Sequence, residues 1–347
     1  MKKNILITGA SGFIGSYLVK EAIKRNYQTF AGIRSSSNKE YLKHADIHFL
    51  ELDFSDKDLL NASLNDFANL HGKFDYIIHT AGLTKAINKA DYSLVNYAYT
   101  KNFVYALKEN NLVPDKFIYI SSLAAFGPGI NTLPINPGQA QKPLTEYGRS
   151  KLKTEEFLYS LSDFPFLIIS PTAVYGARDK DFLYLIKLIE KHLEIYLGSS
   201  KQVLSFVHVH DLVDAIFLGM ESTIVNQNLL VSDSKQYTSK AFNQIIKKNL
   251  DKKTISLVVP VLVARLFALF SEASGRIKGK APVLNRERLK EFEAMNWSVD
   301  CAEITKLGFV PQFSLEEGIK LTVRWYKLYG WIKENNSTQS APNQKQT

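Results

Sequence analysis

The fold is decided by one stretch near the start of the sequence, Asn4-Ile5-Leu6-Ile7-Thr8-Gly9-Ala10-Ser11-Gly12-Phe13-Ile14-Gly15. A short apolar run leads into three glycines spaced three apart, and a helical pattern follows from Ser16. The run predicts a buried parallel strand, and the glycines predict the turn after it. Gly9 permits a tight turn, Gly12 lets the backbone approach a pyrophosphate, and Gly15 allows close helix–strand packing. A plain glycine turn is the alternative, but a position between strand and helix favours dinucleotide binding.

The composition is that of an ordinary soluble protein, with 347 residues of which 45% are hydrophobic and 22% charged. We expect one large domain or two closely joined ones. The formal net charge of +9 raises the question of nucleic acid. Because the lysines are scattered and no basic run carries interleaved aromatics, we expect no nucleic-acid partner. A basic surface that attracts anionic cofactors and substrates explains the charge.

The single cysteine, Cys301, excludes an internal disulfide and fits a reducing compartment. The first apolar run starts almost at once and is too short for a signal peptide. We therefore expect a cytoplasmic protein.

Strand-like runs alternate with helical segments along the first half of the chain. The runs after the first lie at 28–33, 47–52, 75–80, 116–120 and 166–169. This alternation predicts an α/β fold with a Rossmann-type, doubly wound parallel sheet. Ligands bind beyond the carboxyl ends of such strands. The residues expected at those ends are Gly9–Gly15, Asp53, Ala81, Gly82, Ser122 and Pro171.

The alternation weakens after Pro171, which divides the chain. We predict a nucleotide-binding domain at 1–171 and a smaller, mostly helical substrate region at 172–331. Segments around 200–232 are expected to return to the first domain. The polar stretch 332–347 has the composition of a disordered tail.

Two segments of the second half carry more specific expectations. Ser205–His210 predicts a strand, and Asp211 is expected to cap a helix over Leu212–Met220, with Asp214 at its third position. The apolar segment 255–270 is too short to span a membrane. We expect it to form a buried or substrate-covering helix, with peripheral membrane contact as the lesser alternative.

Tyr147-Gly148-Arg149-Ser150-Lys151 is the second informative stretch. On a helix, Tyr147 and Lys151 lie one turn apart on the same face. A tyrosine hydroxyl has a pKa of about 10, and a nearby ammonium lowers it, which suits proton transfer to a carbonyl or from an alcohol. A solvated helix face is the usual alternative. Ser122, at the end of an upstream strand, favours the chemical interpretation because its hydroxyl could bond the same substrate oxygen.

These motifs occur in an order that resembles a known family, the extended short-chain dehydrogenases/reductases of the NAD-dependent epimerase/dehydratase type. The similarity extends to about Trp331, and is greatest to the dihydroflavonol-reductase and 3β-hydroxysteroid-dehydrogenase-like branch. The motifs that carry it are Thr8-Gly9-x-x-Gly12-x-x-Gly15, Asp53, His79-Thr80-Ala81-Gly82, Ser121-Ser122 with Phe126-Gly127, Tyr147-x-x-x-Lys151, Pro171-Thr172-x-Val174-Tyr175-Gly176, Phe206–Asp211, Leu307-Gly308-Phe309-x-Pro311 and Glu317-Gly318-Ile319.

The resemblance implies roles for individual residues. Tyr147 would be the catalytic acid/base, Lys151 would lower its pKa and hold the nicotinamide ribose, and Ser122 would polarise the substrate oxygen. Asn96 would support the active site, although an ordinary polar helix residue explains it equally well. The expected cofactor contacts are Thr8, Gly9, Ser11, Gly12, Phe13, Ile14, Gly15, Arg34, Lys39, Asp53, Phe54, Thr80, Ala81, Gly82, Tyr147, Lys151, Pro171, Thr172 and Val174.

The end of the second strand bears on the choice of cofactor. NAD enzymes usually place an acid there to hold the ribose 2′-hydroxyl. Here Ile33 is followed by Arg34 and three serines, with Lys39 further on. A guanidinium can donate two hydrogen bonds to a 2′-phosphate at once. We therefore predict NADP(H) in preference to NAD(H). The alternative is that Arg34 stacks on the adenine or is solvated.

Some positions depart from the family pattern or are ambiguous. Leu123 and Ala124 follow Ser122 where the family's sugar-nucleotide dehydratases have Asp-Glu, so elimination chemistry lacks its acid and base. A metal site at His208, His210 and Asp211 is disfavoured against a strand and helix cap, and we expect no metal. The weakest candidates, for substrate contact, are Thr84, Arg178 and His208.

The leading functional hypothesis is an NADP(H)-dependent oxidoreductase acting on a carbonyl or alcohol, with a small-molecule substrate. A nucleotide-sugar epimerase with retained NAD is the alternative, since the same triad serves both reactions. A regulatory protein that senses NADP is disfavoured because such proteins commonly lack the Tyr/Lys pair. The resemblance also implies a homodimer through helices near 90–111 and 145–161.

Overall fold

A computed structural model describes residues 2–197, 199–279 and 285–333. In the described residues the strands are β1 (Asn4–Thr8), β2 (Gln28–Ile33), β3 (Ile47–Glu51), β4 (Tyr76–His79), β5 (Lys116–Ile120), β6 (Phe166–Pro171), β7 (Ala173–Tyr175), β8 (Leu193–Leu197), β9 (Val203–Leu204), β10 (Phe206–His208), β11 (Gln227–Val231), β12 (Tyr237–Thr238), β13 (Ile255–Val259) and β14 (Asn296–Trp297).

The helices alternate with these strands in the first half and predominate in the second. They are α1 (Phe13–Lys24), α2 (Lys57–His71), α3 (Ala90–Tyr92), α4 (Tyr99–Glu109), α5 (Glu146–Tyr159), α6 (Asp181–Glu190), α7 (Val209–Glu221), α8 (Ser239–Leu250), α9 (Val261–Ile277), α10 (Arg286–Glu293), α11 (Ala302–Lys306) and α12 (Leu315–Leu328). A π-helical segment, Ser93–Ala98, joins α3 to α4, and a 3-10 turn, Leu123–Ala125, follows β5.

The central sheet has seven parallel strands in the order β11-β6-β5-β4-β1-β2-β3. After β1 the chain first builds outward to β3 and then returns to the other side of β1 with β4. The order therefore reverses between β1 and β4, where a crevice opens beyond the carboxyl ends. The predicted Rossmann-type fold is confirmed. The predicted strands agree with the observed ones to within about two residues because their apolar runs are continuous and strongly β-forming.

Both faces of the sheet are covered by helices, and a separate core lies in the second half of the chain. One cluster packs α1 and α7 against one face, and a second packs α2, α4 and α5 against the other. The third cluster includes Tyr175, Phe182, Phe206, Phe242 and Tyr326. Burial of each such aromatic side chain stabilises the fold by roughly 1.5–3 kcal/mol.

Strand β11, from the 200–232 segment, pairs with β6 in the main sheet. The chain thus returns to the sheet after leaving it at Pro171. The limits 1–171 and 172–331 remain a prediction. Residues 334–347 of the predicted tail lie outside the described residues.

The predicted cap at Asp211 is wrong. Helix α7 begins at Val209, with His208 in the capping position, so Asp211 lies inside the first turn. Its carboxylate instead accepts hydrogen bonds from the backbone N–H groups of Gln312 at 2.9 Å and Phe313 at 3.2 Å. Asp211 therefore anchors the segment that leads into α12, a long-range contact that local capping rules do not include. The preceding strand, β10, is correspondingly shorter than predicted.

The apolar segment 255–270 is not the single buried helix expected. Strand β13 pairs with β8, Pro260 follows it, and α9 begins at Val261. Most of its large apolar side chains are exposed, whereas Ala264 and Ala268 are buried. In the part of the chain that the structure describes, no helix is long and apolar enough to cross a membrane.

Candidate active site

The turn after β1 is built around two glycines that have no room for a side chain. Gly9 has a φ of +64°, and a Cβ there would lie 2.7 Å from the Ala81 backbone nitrogen. A Cβ on Gly15 would collide with the Gly9 carbonyl oxygen. The Gly12 N–H donates to that same oxygen at 2.9 Å. Within the described residues no side chain caps the start of α1, so its first turn faces the crevice as an anion site. The other contacts expected in this turn are Ser11, Phe13 and Ile14.

The carboxyl ends of β1 and β4 are joined by a hydrogen bond at the crevice. The Thr80 hydroxyl donates to the Thr8 carbonyl oxygen at 2.7 Å. His79 is buried, with its two ring nitrogens 2.8 Å from the Thr8 hydroxyl and 3.0 Å from the Thr100 hydroxyl. Burial lowers the pKa of His79 to about 3, so the ring is neutral. The half-buried Phe54 packs against it, with ring centroids 5.6 Å apart.

The loops after β2 and β3 form the side expected to face the adenosine. Arg34 and Asp53 are both exposed. The pKa of Asp53 is lowered, chiefly by the hydrogen bonds from Ser55 and to a smaller degree by the Arg34 guanidinium. Lys39 lies with its ammonium 4.5 Å from the centroid of the Phe49 ring. A basic side chain thus directly follows Ile33, the last residue of β2, the strand end at which NAD enzymes usually place an acid.

Tyr147 and Ser122 meet across the mouth of the crevice. Tyr147 is in the first turn of α5, which Thr145 caps by accepting the Gly148 N–H at 3.1 Å. Burial raises the pKa of Tyr147 to about 12, while a hydrogen bond with the Ser122 hydroxyl lowers it. The Ser122 oxygen also accepts the Ala124 N–H at 3.2 Å. Two hydroxyls therefore converge where a substrate oxygen could bind both.

Lys151 is buried one turn further along α5. Its ammonium donates to the Ile120 carbonyl oxygen at 2.8 Å and lies 4.7 Å from the centroid of the Tyr119 ring. Burial lowers the pKa of Lys151 to about 8, although Glu155 acts in the opposite direction. A Cβ on the exposed Gly82 would lie 3.5 Å from the Lys151 nitrogen. The pKa of Tyr147 is raised by burial and lowered by the Ser122 hydroxyl, and the lowering that we expected from Lys151 is not among its main influences.

Asn96 joins the loop after β4 to α5. It is buried in the π-helical segment, and such segments often mark functional sites. Its amide accepts the Leu83 N–H at 2.6 Å, and donates to the Leu83 carbonyl at 3.1 Å and the Ser150 hydroxyl at 2.9 Å. Asn96 thus holds the neighbours of Gly82 and Lys151 in place.

The residues after β6 continue along the rim of the crevice. Pro171 and Thr172 are buried, and Val174 is half-buried. The Thr172 N–H and hydroxyl both donate to the Val231 carbonyl oxygen, at 3.0 and 3.3 Å. These residues are fixed through backbone contacts between β6 and β11.

The three candidates for substrate contact lie on different segments of the chain. Thr84 is exposed in the loop after β4. The Arg178 guanidinium donates to the Ser16 hydroxyl at 3.2 Å and lies over the rings of Tyr17 and Tyr41. Arg178 thus reaches the start of α1, the side of the phosphate turn.

His208 is buried among aromatic rings. Its ring centroid is 4.4 Å from that of Phe313 and 5.3 Å from that of Tyr175. Burial lowers its pKa to about 3, so the ring is neutral. This environment is that of a core residue. The described residues contain no group of three His, Cys, Asp or Glu side chains that could hold a metal.

Sequence reasoning missed three acids near the site, of which Glu155 and Glu287 are buried and Glu291 is half-buried. Glu155 accepts hydrogen bonds from Ser121, from the Gln141 amide at 2.7 Å and from the Asn228 amide at 3.1 Å. A sequence signal existed, because Glu155 follows Lys151 by four residues and shares its helix face.

The other two acids come from α10 and had no such signal. Glu287 accepts the Glu146 N–H at 3.1 Å, and Glu291 accepts the Thr145 hydroxyl at 3.1 Å. Helix α10 therefore packs on the first turn of α5, more than 140 residues away in the chain.

Comparison with known proteins gives a consistent result. The UDP-glucose 4-epimerase of Vibrio cholerae is 29% identical over 339 residues, covering 93% of this chain and 95% of that one. The N-acetyl-alpha-D-glucosaminyl-diphospho-ditrans,octacis-undecaprenol 4-epimerase of Escherichia coli O157:H7 is 24% identical, covering 94% and 96%. The crystal structure of UDP-glucuronic acid 4-epimerase from Bacillus cereus in complex with NAD has a TM-score of 0.73 at 19% identity, covering 94% and 99%.

The model of the NAD dependent epimerase/dehydratase family matches residues 5–230. This range includes the glycine turn, Ser122, Tyr147, Lys151 and the whole of the seven-stranded sheet up to Leu230. The chain belongs to the NAD-dependent epimerase/dehydratase family.

Proposed function

We propose that the chain is a nicotinamide-dependent epimerase that inverts a hydroxyl-bearing carbon of a sugar linked to a diphosphate carrier. The observation that carries the proposal is the convergence of the Tyr147 and Ser122 hydroxyls beside the buried Lys151. The glycine turn supports a dinucleotide there, because the close packing at Gly9 and Gly15 brings the start of α1, which no side chain of the described residues caps, to the crevice, where its free N–H groups can bind a diphosphate. The epimerase names of the Vibrio cholerae and Escherichia coli relatives support the choice of reaction.

The chain's own residues would move the proton. When bound, the cofactor supplies the acceptor and donor of the hydride. Tyr147 takes the proton of the sugar hydroxyl as the alcohol becomes a ketone, and returns it when the alcohol re-forms on the opposite face. Ser122 donates a hydrogen bond to the same oxygen. The Lys151 ammonium favours the tyrosinate through its charge, and Asn96 holds its surroundings.

A 4,6-dehydratase activity does not fit this site. Elimination of water needs an acid and a base beside the reacting carbon. Leu123 and Ala124 occupy the two positions after Ser122, and Leu123 is buried in the 3-10 turn. An epimerase needs neither group.

The test is a product assay on the purified chain. UDP-glucose, UDP-N-acetylglucosamine and UDP-glucuronic acid are incubated separately with catalytic NAD or NADP, and the sugars are separated by chromatography. We expect the C4 epimer of one substrate to form without net reduction of the cofactor. Stoichiometric oxidation of NADPH with no epimer would contradict the proposal.

The second candidate is an NADP(H)-dependent reductase of a carbonyl substrate. The observation that favours it is the exposed Arg34 after β2, with no acid at that strand end. An exchangeable NADP is typical of a reductase, which must release its oxidised cofactor after every turnover. Consumption of NADPH with a lipophilic ketone would support this candidate.

Cofactor preference can be measured separately from the reaction. If Arg34 binds a 2′-phosphate, Arg34→Ala should weaken NADPH binding about tenfold or more, the value of a charge-assisted hydrogen bond. NADH binding should change less than about threefold. Fluorescence titration of both cofactors decides the point, and tighter NADH binding by the unchanged chain would refute an NADP preference. Lys39→Ala, on the same loop, tests whether any basic residue there has this effect.

We also propose a cytoplasmic homodimer. Helices α4 and α5 carry exposed apolar or aromatic side chains, including Tyr105 and Tyr159, on the surface expected to meet a second copy. The only cysteine, Cys301, is buried with its sulfur 3.1 Å from the Ser232 hydroxyl, which supports a reducing compartment. Analytical ultracentrifugation tests the dimer.

A further inference from the structure

Helix α9 packs against the protein with its small residues and presents its large apolar ones outward. Ala264 and Ala268 are 2% and 0% exposed, and Gly275 is buried on the same side. In contrast, Leu262, Phe267 and Phe270 are 70%, 63% and 74% exposed. An amphipathic helix of a soluble protein normally has the opposite arrangement. Packing of α9 against the rest of the protein therefore does not explain why this helix has so many leucines and phenylalanines.

The exposed apolar surface extends beyond the helix. Strand β13, immediately before α9, exposes Ile255, Leu257 and Val258. Val263, Leu266 and Leu269 add to the helix side, and Ile277 is 87% exposed at its end. We call these exposed residues of two consecutive elements, β13 and α9, the apolar face. Exposed apolar surface concentrated in this way is typical of a binding site.

The charges around the apolar face are basic. Lys253 precedes it and Lys278 follows it, and both are exposed. No Asp or Glu occurs between Lys252 and Ser271. Two nearby acids are paired, Glu293 with Arg265 at 3.1 Å and Glu272 with Arg286 at 3.1 Å, and a third, the exposed Asp251, lies beside Lys252.

These observations identify the class of partner. We propose that the apolar face binds the surface of a bilayer that contains anionic phospholipids. Leu262, Phe267 and Phe270 enter the boundary between headgroups and acyl chains, while the flanking lysines contact lipid phosphates. A second copy of this chain fits less well, since a symmetric dimer would bring together two surfaces that lack acidic residues.

The position of the apolar face relates it to the candidate active site. Helix α10 is joined to α9 through the Arg265–Glu293 and Glu272–Arg286 pairs. The same α10 bonds the start of α5 through Glu287 and Glu291. Bilayer binding would thus bring the mouth of the site near the membrane surface, where a substrate with a lipid-linked diphosphate is found. The binding inference itself does not depend on the proposed function.

The test is flotation of the full chain with vesicles of phosphatidylcholine, with or without about one quarter phosphatidylglycerol. We expect binding to the anionic vesicles and a loss of at least about tenfold in Phe267→Ser/Phe270→Ser. Leu59→Ser/Leu70→Ser is the matched control, because both are exposed apolar residues of α2, which packs on the central sheet. Lys253→Glu/Lys278→Glu should remove the preference for anionic vesicles.

Two results of the flotation experiment would overturn the proposal: no vesicle binding by the wild type, or equal binding by Phe267→Ser/Phe270→Ser. A wild-type dimer that this variant converts to a monomer, with no vesicle binding, assigns the face to a second copy and also overturns it. If the double variant misfolds in a thermal melt, Phe267→Trp replaces it. The emission that Phe267→Trp adds to that of the three native tryptophans should be quenched by brominated lipid, whereas the emission that Leu70→Trp adds should not be, and equal quenching refutes the proposal. Turnover of soluble UDP-sugars, measured on the same variants, should be unchanged.

Discussion

The Lys151 ammonium nitrogen lies 2.8 Å from the Ile120 carbonyl oxygen, so the last residue of β5 fixes the lysine of α5. One carbonyl does not replace the water that a buried ammonium loses, and the pKa of Lys151 falls to about 8. Lys151 is therefore charged below pH 8 and loses its proton above it. The rate of any step that needs this charge should therefore fall as the pH rises above 8.

We expect kcat/KM to decline above about pH 8, toward a tenfold loss per pH unit. A pH–rate profile between pH 6 and 10 measures this limb. Lys151→Met, which lacks the titrating group, should have low activity with no such limb. A wild-type profile that stays flat to pH 9.5 would show that the charge of Lys151 is not required.

Removal of the Tyr147 hydroxyl should abolish most turnover while leaving the fold intact. Tyr147→Phe should lower kcat by about 10²–10⁴-fold, since proton transfer loses its acid/base. Ser122→Ala should lower it by about 10²–10³-fold through loss of a hydrogen bond to the reacting oxygen. Tyr159→Phe, on the exposed end of the same helix, is the control. Retention of full activity by Tyr147→Phe would end the catalytic assignment.

The glycine turn can be tested with a matched pair of alanine substitutions. Gly9 and Gly330 have φ angles of +64° and +68°, so alanine at either position costs about 1–2 kcal/mol in backbone strain. Only at Gly9 would the new methyl group also meet backbone, 2.7 Å from the Ala81 nitrogen; no atom of the described residues lies within 4 Å of it at Gly330.

Gly9→Ala should therefore lower the free energy of unfolding by about 1–3 kcal/mol more than Gly330→Ala does. It should also weaken cofactor binding, which Gly330→Ala should not. Denaturant titration and cofactor titration measure the two effects. If both variants lost the same free energy of unfolding, the backbone at the ends of β1 and β4 would have to move apart at no cost to make room for the methyl group.

The parts of the fold that the sequence predicts are those set by local pattern. The run before Gly9 and the glycine spacing specify a strand, a turn and a helix within one short stretch. Tyr147 and Lys151 are likewise linked by helix geometry alone. Residues that follow parallel strands all lie at one edge of the sheet. For this reason the sequence alone predicts that Ser122 and Asp53 lie at that edge.

The remaining features depend on contacts between distant segments. Asp211 has the residue type of a cap, yet its carboxylate bonds the backbone at Gln312 and Phe313. The sequence of α9 is apolar, but it does not indicate which of its side chains meet the protein. Glu287 and Glu291 reach α5 only because α10 folds back across the site. Local periodicity contains none of this information.

The buried Glu155 should give the protein a distinctive pH dependence of stability. Burial raises the pKa of Glu155 to about 7 from an ordinary value of 4.5, although Ser121, Gln141 and Lys151 act to lower it. The folded protein thus holds this proton at pH values where the unfolded chain has lost it. The stabilisation is complete below pH 4.5 and is lost as the pH rises through 7.

Glu155→Gln keeps the size of the side chain and removes its titration. The melting temperature of the unchanged protein, relative to that of Glu155→Gln, should therefore decrease steadily between pH 5 and pH 8. Glu156→Gln, the neighbour on the same helix, serves as the control, and its melting curve should run parallel to that of the wild type. Thermal melts at several pH values measure both differences. Parallel curves for Glu155→Gln as well would show that the carboxyl is already ionised at pH 5, held by its three hydrogen-bond donors and by the Lys151 ammonium.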